Sequence, residues 1–263
     1  MKAKNIQLYK STNAYLKAPE GMKNEMLMWY VGGGVLMQEL AKRADNKPYG
    51  GLRHKIGYLE NQKLKTIEIL DVCSGLGNFV NHLSFIYPKI KATCIDINKV
   101  FLKYDKTKFK NWKFIEADAA TFSLNRKFDF ITASSAYHHI KNKDKLAFLK
   151  NLKNHLKKGG VIIVCENFLP DYKTEKERGA AVRLYYKELK DFYKKGNSTK
   201  DSFNTIVEVE HLEVVGKEEY KVSFKFFSEQ IKKAGLVVYI DIPIWQPKGF
   251  IKDNAGSHVI ILK

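Results

Sequence analysis

Residues 67–78 read Ile67-Glu68-Ile69-Leu70-Asp71-Val72-Cys73-Ser74-Gly75-Leu76-Gly77-Asn78. An apolar run rich in Ile, Leu and Val leads to Asp71, a turn of small residues carries Gly75 and Gly77, and a helical pattern follows. The stretch therefore predicts a strand, a tight loop and a helix. Glycine at such a turn allows positive φ and lets a ligand lie against the backbone, while the helix N-terminus beyond it offers unpaired N–H groups. On its own the loop fits a purely structural turn of an α/β fold as well as it fits a cofactor cradle.

Working outward, strand-like runs occur at 66–73, 90–97, 112–117, 128–133 and 161–166, with helical patterns at 79–87 and 143–156. The second of these helices is expected to end in a C-cap at Lys157-Lys158-Gly159-Gly160. Alternation of strand and helix predicts an α/β fold with a doubly wound, mostly parallel sheet. A helix with Ser223 as its N-cap and strands at 237–242 and 257–261 complete seven strands, the last antiparallel. Ligands of such sheets sit at the carboxyl ends of the strands. Those ends carry Asp71, then Asp96 25 residues later, then Asp118, then Ser134-Ser135-Ala136-Tyr137-His138-His139. An acid ending the second strand is placed to accept both hydrogen bonds of a ribose diol, so the set points to a nucleoside-containing ligand.

Before residue 66, positions 22–40 are rich in Met, Leu, Trp29 and Tyr30 and are interrupted by Gly32-Gly33-Gly34. This reads as two short helices with a flexible joint, followed by a break at Lys47-Pro48-Tyr49-Gly50-Gly51 and a further short helix. Residues 1–65 are expected to form an N-terminal helical segment, either packed on the core or acting as a lid. Residues 66–263 form the main domain. Within it, 168–222 reads as a helical cap insertion with helices at 171–195 and 201–214, the first bearing Leu184, Tyr185, Tyr186, Leu189, Phe192 and Tyr193.

Composition excludes several classes. At 44% hydrophobic the chain is globular rather than disordered. The net charge of +18 invites a nucleic-acid reading, but five Arg among 46 basic residues, with Lys spread over every segment, fit a Lys-coated surface better. Cys73, Cys94 and Cys165 show no C-x-x-C spacing, so neither a disulfide framework nor a zinc site is expected. The N-terminus lacks an apolar signal core and the window 26–37 is too short to span a bilayer, so a cytoplasmic protein without a membrane partner is expected, as a monomer or homodimer.

The stretch Ile-Leu-Asp-Val-Cys-Ser-Gly-Leu-Gly resembles the first motif of the class I S-adenosylmethionine-dependent methyltransferases, with Cys73 where a glycine is commoner. Ile95-Asp96-Ile97, Glu116-Ala117-Asp118-Ala119, Phe128-Asp129-Phe130-Ile131 and the Leu-Lys-Lys-Gly-Gly-Val-Ile-Ile-Val run within 152–165 resemble the next four motifs, in order and at similar spacing. The resemblance covers roughly residues 66–263. It implies S-adenosyl-L-methionine as cofactor and S-adenosyl-L-homocysteine as product. Cys73, Gly75 and Gly77 would hold the methionine part, Asp71 would orient its ammonium, Asp96 with Ile97 would take the ribose, and Asp118 with Ala119 would read the adenine. Ser134, at the end of the fourth strand, completes this set. A dinucleotide fingerprint needs a third glycine, and Val80 stands there instead, in keeping with a ligand that has no pyrophosphate.

Reacting groups are expected after strand four, at Tyr137, His138 and His139, since histidine is the usual general base near neutral pH. No i, i+4 ligand pair is present, so no metal site is expected; the set considered was His138, His139 and Glu166. Enzymes that methylate base amino groups commonly carry Asn or Asp followed by Pro-Pro and an aromatic residue here, and cytosine C5 enzymes carry a nucleophilic Cys. Neither pattern is present, which favours a small-molecule acceptor. The alternatives are an RNA-directed methyltransferase, or a protein that binds the cofactor as a sensor, lyase or cyclase without methylating.

Overall fold

The structure is a computed structural model and describes residues 23–45, 65–195, 200–216 and 219–263. In chain order the elements are α1 (Lys23–Asp45), β1 (Ile67–Val72), α2 (Asn78–Ile86), β2 (Ile90–Asp96), α3 (Lys99–Lys108), β3 (Lys113–Glu116), β4 (Phe128–Ser134), a 3₁₀ turn (Tyr137–His139), α4 (Lys145–Asn154), β5 (Leu156–Phe168), α5 (Glu175–Lys195), α6 (Lys200–Val215), α7 (Phe224–Lys233), β6 (Val238–Trp245), a second 3₁₀ segment (Lys248–Asp253) and β7 (Gly256–Leu262). They form one seven-stranded sheet ordered β3-β2-β1-β4-β5-β7-β6. Strands β1 to β5 pair in parallel and β7 runs antiparallel between β5 and β6. The expected doubly wound sheet is thus present with its last strand reversed.

The two faces of the sheet follow the two-residue period of β1. Leu70 and Val72 join a core with Phe148, Leu149 and Leu152 of α4 and Phe227 and Ile231 of α7. Ile67 and Ile69 join the opposite core with Phe79, Val80 and Leu83 of α2 and Met28, Val35 and Leu36 of α1. A strand buried on both faces is apolar on both, and β1 carries Ile67, Ile69, Leu70 and Val72 with only Glu68, half-buried near its start, and Asp71, at its carboxyl end, as polar exceptions. A third cluster lies in the α5–α6 hairpin, where Val182, Tyr185, Tyr186, Leu189 and Tyr193 meet Ile206, Val209 and Leu169. The aromatic stripe of the insertion is therefore its own packing seam.

Three local expectations are corrected. The glycines at 32–34 do not break a helix, because α1 runs unbroken from Lys23 to Asp45. A Cβ on Gly32 would stand 2.9 Å from Phe79 Cζ, and one on Gly33 2.3 Å from Ile86 Cδ1. These glycines let α1 approach α2 closely instead of bending it. Helix α4 ends at Asn154, and Lys157 to Gly160 belong to the 13-residue β5 rather than to a cap. Between Phe128↔Leu156 and Phe130↔Val161 the β4–β5 register shifts, and this bulge absorbs Gly159 at φ 74°. Helix α5 starts later than expected, at Glu175, where Thr174 Oγ1 accepts from the Glu177 N–H (3.2 Å) and Glu177 Oε2 accepts from the Lys173 N–H (2.7 Å). The helix expected after Gly51 lies outside the described residues.

Candidate active site

At the end of β1 the backbone takes left-handed values at Cys73 (φ 55°), Gly75 (φ 54°) and Gly77 (φ 62°). Two of these positions hold glycine, and at Cys73 a side chain bears the strain. Gly77 is the N-cap of α2 and provides no side-chain cap, so the first N–H groups of that helix face the loop without one. The loop is tied down by Ser74 N–H to Ile95 O (3.0 Å) and Gly77 N–H to Ser74 O (2.8 Å).

The strand ends then converge on Asp96. Its Oδ2 accepts from the Gly75 N–H (2.8 Å) and its Oδ1 from the Asn98 N–H (2.7 Å). Asn98 in turn caps α3 through Val100 and Phe101. Burial pushes the Asp96 carboxyl up, against the pull of these N–H donors and of the nearby His139 imidazole. Asp71 is 2% exposed and accepts from Thr132 Oγ1 (2.6 Å), with no cation paired to it among the described residues. Burial raises it to about 7, the Thr132 hydroxyl opposing and Asp96 adding to the rise. Asp118 is exposed, and its Oδ1 accepts from the Ala120 N–H (2.7 Å). Ala119 beside it is buried, while Ile97 at the end of β2 is an exposed apolar side chain. Ser134 Oγ accepts from Trp29 Nε1 (2.9 Å), a residue of α1 that the motifs gave no reason to expect here.

The three candidate reacting residues separate. Tyr137 turns inward, 1% exposed, packing on Phe148 and Phe227 with Lys145 Nζ 4.1 Å from its ring centroid. Burial pushes its hydroxyl far up, and its ring lies in the core on Phe148 and Phe227. His138 is buried, and its Nδ1 lies 2.6 Å from Glu166 Oε1 while its N–H donates to Glu166 Oε2 (3.2 Å). Glu166 also accepts from the Asn167 N–H; although burial pushes this carboxyl up, His138 and that N–H hold it below its usual value. Burial in turn lowers the His138 imidazole, against the pull of Glu166. A charged Glu166 fixes the tautomer with the proton on Nδ1, leaving a lone pair on Nε2. His139 is exposed and its ring lies 4.2 Å from that of His138.

Four further residues sit behind this turn. Glu219 brings Oε2 to 3.7 Å from His138 Nε2 and Oε1 to 3.8 Å from His139 Nδ1. Lys221 Nζ bonds Glu219 Oε2 (2.6 Å) and reaches Glu213 Oε2 (3.4 Å), and Arg178 closes the group on Glu213. All four are buried. Burial pushes Glu219 up, yet Lys221 and the two imidazoles bring it to about 2. The Tyr220 N–H donates to His138 O (2.7 Å), fastening the segment after α6 to the reacting turn. Nothing in local spacing marks Glu219, which lies 80 residues from His139.

A Rossmann-like sheet ordered β3-β2-β1-β4-β5-β7-β6, with a glycine loop after β1 and carboxylates ending β1 and β2, defines the methyltransferase class of α/β folds. Residues 69–160 match the family model of a methyltransferase domain, which supports the resemblance to the class I S-adenosylmethionine-dependent methyltransferases over that stretch. An S-adenosylmethionine-dependent methyltransferase from Clostridium acetobutylicum ATCC 824 matches with a TM-score of 0.52 over 79% of this chain and 88% of its own, at 17% identity. The mitomycin 7-O-methyltransferase MmcR matches with a TM-score of 0.51 over 75% of this chain and 49% of its own, at 11% identity. PKMT2 from Rickettsia typhi, solved in complex with AdoHcy, matches with a TM-score of 0.50 over 75% and 49%, at 18% identity. This chain therefore spans about half the length of the latter two, and at these identities the likeness is one of fold. No curated protein matches the sequence.

Proposed function

We propose that the chain moves a methyl group from S-adenosyl-L-methionine to a small-molecule acceptor seated beside His138 and His139. When bound, the cofactor supplies a methyl group activated on a sulfonium. The residues present fit it. Asp71 is a buried carboxylate with no cation beside it among the described residues, which suits an ammonium, and Asp96 ends β2 with lone pairs to spare for a diol. Cys73, Gly75 and Gly77 would hold the methionine part. Ile97, Asp118 and Ala119 would take the nucleoside, and Ser134, with Trp29 on its hydroxyl, would close the strand-four side.

The observation that carries the small-acceptor reading is the Tyr220–His138 backbone bond. It ties the segment after the α5–α6 hairpin to the turn that carries His138 and His139, which supports a reading in which the insertion helps to shape the acceptor pocket. Transfer from a sulfonium is an in-line displacement, and the protein's work is to align the acceptor and exclude water. An acceptor that arrives protonated needs a base, and His138 Nε2, with Nδ1–H committed to Glu166, has the lone pair for it.

The test is transfer of labelled methyl from S-adenosylmethionine to panels of small hydroxyls, thiols and amines, with RNA as a separate arm. Label entering a small acceptor is the expected result. Label entering RNA alone, or cofactor binding with no transfer in any arm, overturns the reading.

A further inference from the structure

The His138–His139–Glu219 cluster holds a feature that a general base does not require. With its Nδ1–H donated to Glu166, His138 Nε2 points a lone pair at a carboxylate oxygen 3.7 Å away, and His139 Nδ1 faces the other oxygen of the same carboxylate at 3.8 Å. These gaps are too long for hydrogen bonds. The His139 Nδ1–Glu219 Oε1 gap approaches the separation of two ligands around one tetrahedral ion, about 3.4 Å for bonds of about 2.1 Å. One ligand atom from each of His138, His139 and Glu219 lies within 4.8 Å of the other two.

The surroundings are those of ligands held in place. Glu166 orients His138 from behind, as a carboxylate does for a metal-bound imidazole. Lys221 holds Glu219 Oε2, leaving Oε1 on the side of His139. The Tyr220 N–H bond to His138 O locks the two segments together. Arg178 pairs with Glu213, so the buried cations are already engaged by carboxylates behind the cluster.

We propose that His138 Nε2, His139 Nδ1 and Glu219 Oε1 bind a divalent first-row transition-metal ion, with a coordination position left for the acceptor. Two imidazoles and one carboxylate suit zinc, cobalt, manganese or iron(II) and do not suit magnesium or calcium, which take oxygen ligands. Three protein ligands leave a fourth position for a hydroxyl or thiol, whose pKa the ion lowers. The acceptor then releases its proton to solvent. Its oxygen or sulfur forms the new bond to the methyl carbon as the carbon–sulfonium bond breaks and S-adenosylhomocysteine leaves. This role rests on the methyltransferase reading and, with the ion bound, takes the place of the general-base role of His138 Nε2, whose lone pair the ion occupies; the metal site itself does not rest on that reading.

Cobalt(II) alone, added to tag-free full-length protein previously treated with a chelator, tests the site through its visible absorption without any turnover. The expected result is saturable absorption at one equivalent, with affinity reduced tenfold or more in Glu219→Gln and in His139→Ala. His139 is exposed, so its variant does not endanger the fold, and thermal melts check Glu219→Gln. Glu166→Gln is expected to weaken binding 10- to 100-fold while leaving the ligand set in place. Absence of the bands in the wild type, or equal affinity in a well-folded His139→Ala, overturns the proposal. S-adenosylhomocysteine affinity, measured in the same samples, reports on the cofactor half of the site separately.

Discussion

Replacing Asp71 by Asn should stabilise the free protein while weakening its cofactor site. The carboxyl is buried and rises from 3.8 to about 7, chiefly through burial, with the Thr132 hydroxyl opposing. That is a shift of roughly three units, or about 4 kcal/mol of resistance to charge at about 1.4 kcal/mol per unit. Because the folded value lies above the unfolded one, the unfolded chain ionises first as pH rises. Wild-type stability therefore falls between about pH 4 and pH 7, and the loss is complete above 7. Asn keeps an oxygen for Thr132 and carries no charge, so it escapes this loss. Urea denaturation from pH 4 to 8 should show the variant about 2–4 kcal/mol more stable at pH 8, with the gap closing by up to about 1.4 kcal/mol per unit below pH 7. Calorimetric titration with S-adenosylhomocysteine at pH 8 should show affinity at least tenfold weaker, since the ammonium loses its counter-charge. A gap that does not vary with pH, or a wild type more stable than the variant at pH 8, would refute the reasoning.

Asp96→Ala should weaken S-adenosylhomocysteine binding at least tenfold by calorimetry, because it removes the diol acceptor and unties Gly75 from the strand end; undiminished affinity would remove Asp96 from the cofactor site. Gly34→Ala should raise stability by about 0.8 kcal/mol, since the site lies within continuous helix α1 and a Cβ there meets nothing within 4 Å. Gly256→Ala should lower stability by about 3 kcal/mol or more, because at φ 121° its Cβ would lie 2.0 Å from the Trp245 carbonyl oxygen. Glu213→Ala should cost about 3–5 kcal/mol in denaturant, by leaving Arg178 and Lys221 buried without their shared carboxylate; a near-neutral effect would mean that the group is solvated.

The parts of the fold that were legible in the sequence are those in which one segment carries its own signal. β1 is buried on both faces and reads as an apolar strand rich in Ile, Leu and Val, and the loop after it needs left-handed backbone, which places Gly75 and Gly77. The failures come where the same residue types serve tertiary contact. Gly32 and Gly33 look like a helix break, yet they are small because Phe79 and Ile86 lie against them, a reason located about fifty residues away. Gly159 and Gly160 look like a helix stop, yet they form a bulge against β4, where a Cβ on Gly160 would meet Asp129 O at 2.9 Å. Helix propensity and close approach call for the same residue, and sequence pattern alone does not separate them.

The same distinction divides the site. The proposed cofactor residues follow successive strands at similar spacing, so their order along the chain announces them, and Asp71, Asp96 and Asp118 end or follow neighbouring strands of the sheet. The acceptor side is assembled from pieces with no common period: a 3₁₀ turn after β4, the end of β5 and a segment beyond the α5–α6 hairpin. Its members are recognisable only through each other. Glu166 matters because His138 Nδ1 lies on it, and Glu219 because both imidazoles face it. Tyr137, adjacent in sequence and chemically as apt, lies apart because a 3₁₀ turn sends consecutive side chains in different directions and its own goes into the core. On the proposed function the insertion that carries Glu219 selects the acceptor, and exchanging residues 168–222 should change acceptor preference while leaving S-adenosylhomocysteine affinity intact. Loss of both together in a folded exchange variant would show that the two halves of the site are not separable in this way.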